Sequence, residues 1–422
     1  MGNVVGASEP APLVPPRARL WRYVTEHPPV VLAVLLVAAL PNLCLRDAPP
    51  LINPREDLDS SMKLQGIAQD RGLLSALSYF WGDDPQHVHT FRPLPAVMLW
   101  VEYHLWGYHK PPYVLVNWLW FVATGYALVL LGRALGVPPW GALGMGVVLL
   151  AHVTRGTHGT IIHAATRHDL VCTFFAVLAV VAIMRHLQQP RSGRLVWFGV
   201  CSLLAYLSKE MALALLPLSV ALAAWHGIRT EARRPALALA SVALLVALVW
   251  FGWYRLAEQA MGPGGVPTHS VGSWLEMLSE RWPGPLVVAL LEFSQPAGEL
   301  VNQFRSGLGW PILIYHMFWT ALMWLFLQIM CVVVLWRVQR QWLAVLVLWK
   351  LCMWLPVLPF QGTFPWYEYM PHTLDPILAV GTACVLWQHF WIKRRGCRAA
   401  NASPLPPPSA PPTDLPLAQS ST

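Results

Sequence analysis

Several short stretches of this chain collect side chains able to move protons, hold cations or grip phosphate, and each lies beside a long apolar run. The first is Asn53-Pro54-Arg55-Glu56-Asp57-Leu58-Asp59. Carboxylates this close raise one another's pKa, which suits a general base, and they also form a hard oxygen site for a divalent cation. Asp57 is the preferred base and Glu56 its competitor; a solvated turn explains the same residues. The second is Asp83, Asp84, His87 and His89. Carboxylate and imidazole together could bind Zn²⁺ or Mn²⁺, but the spacing fits no specific metal motif, and helix capping by either aspartate together with ordinary loop polarity accounts for it better. Arg92 follows and could pair with an acid or with phosphate.

Further along, Arg155, His158, His163, Arg167, His168 and Asp169 fall in one connection. Such a set could hold a lipid phosphate where it leaves a bilayer, with the carboxylate orienting a sugar; interfacial ion pairing is the competing reading. Lys209 and Glu210 are adjacent and could simply pair with each other. Glu368, Tyr369 and His372 follow the aromatic run Phe364-Pro365-Trp366-Tyr367, whose ring faces suit sugars as well as a membrane interface. The chain has no GxSxG elbow, P-loop, dinucleotide fingerprint or HExxH, which disfavours lipase, ATPase, oxidoreductase and zincin chemistry.

The elements that must position these groups are membrane helices. Hydrophobic residues make up 56% of the chain and charged ones 12%, with 23 Trp, far from the balance of a soluble domain. Apolar runs at 28–45, 113–132, 140–153, 168–184, 195–208, 211–227, 236–256, 312–336, 341–358 and 373–391 predict about ten transmembrane helices. Residues 92–108 are also apolar, but Arg92, Pro93, Pro95, Glu102 and His104 interrupt them, and an amphipathic helix along the interface is expected. The first run begins after 27 residues and reads as a span rather than a cleaved signal peptide.

Charge orients this pattern. With the N-terminus inside, the short cytoplasmic connections collect Arg133, Arg185, Arg191, Arg194, Arg229, Arg233, Arg234, Arg337, Arg340 and the Lys393–Arg398 group. Most acids fall on the other side, and making 92–108 a span would put the middle arginine clusters outside. The formal charge of +8 is spread among loops and forms no nucleic-acid stripe. The seven cysteines form no CxxC pair, so neither a disulfide framework nor a zinc knuckle is expected. The expected organisation is a disordered cytoplasmic tail over 1–27 and a membrane module over 28–256 with an outer loop at 46–112. An outer loop at 257–311, a second membrane module at 312–396 and a proline-rich disordered tail at 397–422 complete it. Both termini are cytoplasmic in this reading, in a bacterial inner membrane or, in a eukaryote, the endoplasmic reticulum membrane.

Several fragments resemble a known family. Phe91-Arg92-Pro93-Leu94, Leu105-Trp106-Gly107, Pro111-Pro112-Tyr113 and Asn117 come first. Ala165-Thr166-Arg167-His168-Asp169-Leu170, Leu207-Ser208-Lys209-Glu210 with Pro217, and Glu368-Tyr369-Met370-Pro371 follow in the same order. Together they resemble integral-membrane glycosyltransferases of the C-type fold, in particular protein O-mannosyltransferases and their tetratricopeptide-containing relatives. The resemblance spans roughly 28–230 and, more loosely, 360–391. It implies juxtamembrane helices in the first outer loop and inverting transfer of a sugar from a polyprenyl- or dolichyl-phosphate carrier to a protein or glycan acceptor. Asp57 with Glu56 would then be catalytic, and Arg92, Arg167, Asp169, Lys209, Glu210, Glu368, Tyr369 and His372 would contact substrate or lipid phosphate. No cofactor is required, although a divalent cation remains open. The first loop has Glu56-Asp57 where the family has paired aspartates, and no tetratricopeptide domain is present. A catalytically inactive scaffold subunit of a membrane complex is therefore the alternative, with a transporter behind it.

Overall fold

The computed structural model describes residues 27–43, 64–68, 72–81, 91–151, 160–261, 326, 328–354 and 373–401. Every regular element described is helical: α1 (Pro28–Ala39), α2 (Leu73–Ser78), α3 (Pro93–Trp106), α4 (Lys110–Ala134), α5 (Pro139–Ala151) and α6 (Arg167–Gln188). They are followed by α7 (Ser192–Tyr206), a 3₁₀ turn at Glu210–Ala214, α8 (Leu215–Thr230) and α9 (Arg233–Met261). The last three are α10 (Gln328–Val338), α11 (Arg340–Trp354) and α12 (Asp375–Asn401).

The expectation of about ten spans is corrected. Among the described residues, four helical stretches are long and apolar enough to cross a membrane: Lys110–Ala134, Arg167–Gln188, Glu210–Thr230 and Arg233–Gln259. At 1.5 Å per residue these reach about 32–41 Å, enough for a hydrocarbon core of about 30 Å. The apolar runs near 28–45, 140–153, 195–208 and 341–358 yield helices of 12, 13, 15 and 15 residues. Those lengths reach only about 18–23 Å. Counting apolar runs overstated the number because hydropathy does not record how many residues lie in one continuous helix. The helix Asp375–Asn401 has 27 residues. Its second half is polar, with Gln388, His389 and the basic residues from Lys393 onward. The C-type arrangement of about ten spans thus gives way to an all-α bundle with, among the described residues, four helices both long and apolar enough to span.

The bundle is built around α6, whose most apolar window is 83% buried, whereas that of α9 is 28% buried and faces outward. Helix α6 packs on α4 and α7, α4 on α5, α8 on α9, and α12 on α5. Small residues allow close approach: a Cβ at Gly146 on α5 would lie 2.9 Å from the Gly125 carbonyl oxygen on α4.

Helix ends need partners for their last carbonyls, and membranes supply none. Indoles and amides provide many of them. Trp118 Nε1 donates to Ala39 O at 2.8 Å, Trp342 Nε1 to Leu135 O at 2.7 Å and Trp250 Nε1 to Tyr206 O at 3.1 Å. Asn42 Nδ2 donates to Leu150 O at 2.7 Å, and the Gln188 amide donates to Ala134 O. These bonds set helix directions. The Gln188 bond brings the ends of α4 and α6 together, so Arg133, Arg185, Arg191 and Arg194 gather at one end. The starts of α4 and α6 lie at the opposite end, where the site forms.

Candidate functional site

At that opposite end, three segments distant in sequence bring six ionisable side chains together. Helix α3 stops at Gly107, whose φ of 56° and ψ of −130° suit glycine, and Tyr113 donates from its hydroxyl to Gly107 O at 2.6 Å. That turn brings Tyr113 at the start of α4 into one apolar cluster with Leu99 of α3. The Leu94 backbone N–H donates to Leu207 O at 3.3 Å, drawing the start of α3 to the end of α7. Arg92 and Glu102 at the two ends of α3 are thereby aimed at two different parts of the cluster.

The innermost part centres on Arg167, the first residue of α6, which is fully buried. Its Nε donates to Asn117 Oδ1 at 2.8 Å, its Nη2 to Tyr113 O at 3.1 Å, and its Nη1 pairs with Glu102 Oε2. Asn117 is itself held by donating to Ile161 O and His163 O at 3.0 and 2.8 Å. Arg167 therefore ties α3, α4 and α6 together, with no free face for a phosphate. Burial raises the Glu102 carboxyl above its ordinary range, and the Arg167 charge and hydrogen bond offset this only in part.

The middle part is Asp169 and Lys209. Asp169 lies in the first turn of α6, where the helix dipole favours an anion, and its Oδ1 pairs with Lys209 Nζ. Both are buried. Lys209 occupies an extended residue just before the 3₁₀ turn, which directs it inward and leaves Glu210 pointing the other way. The adjacent pair expected from sequence is thus split: Lys209 joins Asp169, and Glu210 joins Arg92.

The rim is Arg92 with Glu210. Arg92 donates from Nε to Oε2 at 2.9 Å and from Nη2 to Oε1 at 2.5 Å, a side-on bidentate pair. The side chains are 17% and 50% exposed, so this is the accessible part of the cluster. His168 joins rim to middle, its Nε2 lying 3.2 Å from Arg92 Nη1 and 3.1 Å from Asp169 Oδ2. One ring nitrogen cannot accept from a guanidinium and donate to a carboxylate together. Asp169 Oδ2 makes no hydrogen bond, which matches Nε2 accepting from Arg92.

Of the residues expected from sequence, Arg92, Arg167, Asp169, Lys209 and Glu210 come together. Glu56, Asp57, Asp83, Asp84, His87, His89, Glu368, Tyr369 and His372 lie outside the described residues. Among the described residues, no group of three or more His, Cys, Asp or Glu side chains could hold a metal ion.

Two features escaped sequence reasoning. Glu102, read as an interruption of an interfacial helix, faces inward on the same side as Ala96 and Leu99. That three-residue spacing was the available signal. The second feature is the Lys350 Nζ–Asp375 Oδ1 pair at 2.6 Å between α11 and α12, which nothing in the local sequence announces.

The chain is a largely helical, membrane-associated protein with a layered polar cluster at one end of its bundle. Compared with protein-family models, curated proteins and solved structures, it matches none.

Proposed function

We propose that the chain transfers a sugar from a polyprenyl- or dolichyl-phosphate carrier to a protein or glycan acceptor on the non-cytoplasmic face of a membrane, with inversion. The observation that carries this reading is the convergence of Arg92, Arg167, His168, Asp169, Lys209 and Glu210 at the end of the bundle opposite Arg133, Arg185, Arg191 and Arg194. Under the positive-inside tendency that end is non-cytoplasmic. Ionisable groups at membrane depth are costly and mark substrate sites more often than idle surface.

In this reading the residues divide by accessibility. Arg92 at the rim meets the lipid phosphate and stabilises its growing charge as the sugar leaves. The Asp169–Lys209 and Arg167–Glu102 pairs are positioning residues that hold α3, α6 and the 3₁₀ turn around it. Asp57, with Glu56 beside it, is the proposed base that takes the acceptor proton. Glu368, Tyr369 and His372 are proposed sugar contacts, and a divalent cation at Asp83, Asp84, His87 and His89 remains compatible with the donor set.

The second reading is a scaffold subunit without turnover. It is favoured by the charge balance of the described cluster, in which Glu102, Asp169 and Glu210 neutralise Arg167, Lys209 and Arg92. Purified full-length protein, incubated with radiolabelled polyprenyl-phosphate sugars beside Asp57→Asn and Arg92→Ala variants, separates the two. Carrier consumption by the wild type, lost in both variants, supports the transferase. No turnover across a broad donor panel, with stable assembly into a complex, supports the scaffold and ends the transferase reading.

A further inference from the structure

We infer that Glu210 is an internal stand-in for the phosphate group of the ligand, a displaceable counter-ion that closes the Arg92 anion site until a phosphate ester replaces it. This rests on the lipid-phosphate reading above and adds to it the way the site is kept closed. The first ground is geometry. Both Glu210 carboxylate oxygens engage one edge of the Arg92 guanidinium, through Nε and Nη2 at 2.9 and 2.5 Å. A phosphate presents two oxygens to the same edge in the same way. Arg92 Nη1, on the other edge, is 3.2 Å from His168 Nε2, so the guanidinium stays oriented when Glu210 leaves.

The second ground is that only the rim can open at modest cost. Arg167 and Lys209 are buried against Glu102 and Asp169, and exposing either would unpack the starts of α4 and α6. The Glu210 side chain is 50% exposed, so it can swing into water while ionised with little desolvation to repay, whereas Asp169 at 1% cannot.

The third ground is charge. The three described pairs carry no net charge, so an anion entering with Glu210 still in place would meet a carboxylate at the only accessible guanidinium edge described. Exchange of one anion for another preserves the balance. The ligand class is therefore a phosphate ester able to offer two oxygens side by side, with an isoprenoid chain left in the surrounding apolar phase.

The test uses full-length protein in nanodiscs of neutral lipid, with radiolabelled polyprenyl phosphate as the probe and inorganic phosphate as competitor. Wild type, Glu210→Gln, Glu210→Asp and Arg92→Ala are compared. Glu210→Gln is expected to bind polyprenyl phosphate about 2- to 5-fold tighter, the scale on which a part-exposed ion pair competes. Glu210→Asp, too short to hold both nitrogens, shifts affinity in the same direction by less and serves if the glutamine variant fails to fold. Arg92→Ala binds more weakly than all of them.

Binding by the wild type with no gain in either Glu210 variant overturns this inference and leaves the lipid-phosphate reading standing. Absence of binding in the wild type and in both Glu210 variants removes that reading, and the inference falls with it. Competition by inorganic phosphate that strengthens in Glu210→Gln shows that the phosphate group is what displaces the carboxylate; competition insensitive to the variant overturns that displacement.

Discussion

Replacing Arg167 by methionine should unfasten the start of α6 more than neutralising its carboxylate partner. Methionine keeps the length and apolar stem of the side chain but removes the donors. The guanidinium serves three acceptors: Glu102, Asn117 Oδ1 at 2.8 Å and Tyr113 O at 3.1 Å. Removing one partner of a buried ion pair costs about 3–5 kcal/mol, and the two neutral acceptors left behind add to the upper end of that range. Glu102→Gln should cost less, about 1–3 kcal/mol, because the amide oxygen still accepts from Arg167 and the burial cost of the carboxylate disappears, although the buried guanidinium loses its counter-charge.

The pH dependence follows the sign of the Glu102 shift. Its folded pKa is raised by burial, so its contribution is fully present below its unfolded value and is lost as pH rises through the folded value. Arg167→Met removes the charge and the hydrogen bond that hold the Glu102 carboxyl down, which widens that window upward. The variant should therefore lose more stability, relative to wild type, at pH 8 than at pH 5. Unfolding free energies in mixed micelles at those two pH values measure it. Arg167→Met within about 1 kcal/mol of wild type, or Glu102→Gln as damaging as Arg167→Met, would refute the reasoning.

Other perturbations test the frame. Trp342→Phe removes the indole donor from Leu135 O and leaves a small void where the second ring packed, and should cost about 2–4 kcal/mol in the same assay. Gly107→Ala meets no atom within 4 Å, so its cost, about 1–3 kcal/mol, should come from backbone strain at φ 56° and should not be rescued by trimming neighbours. Gly146→Ala places a methyl against the Gly125 carbonyl oxygen, and overpacking of α4 on α5 should cost about 1–3 kcal/mol, read as a lowered Tm.

Helicity and membrane association could be read from the chain directly, because each depends on local composition: long apolar runs with few charges. The residues Arg92, Arg167, Asp169, Lys209 and Glu210 also stood out, since ionisable groups beside apolar runs are rare enough to notice. Span number was not legible. Hydropathy records how apolar a run is, whereas crossing a bilayer depends on how many residues stay in one unbroken helix, and Pro28–Ala39 or Pro139–Ala151 are too short.

Pairing was decided by tertiary structure alone. Adjacent Lys209 and Glu210 diverge because an extended residue meets a 3₁₀ turn, so each finds a partner elsewhere, 40 and 118 residues away along the chain. Glu102 turned inward because α3 is bent back by Gly107, and only the folded chain brings it against Arg167. Composition specifies which charges exist near a membrane; which of them is buried, which is exposed and which can be displaced depends on distances that sequence separation does not contain.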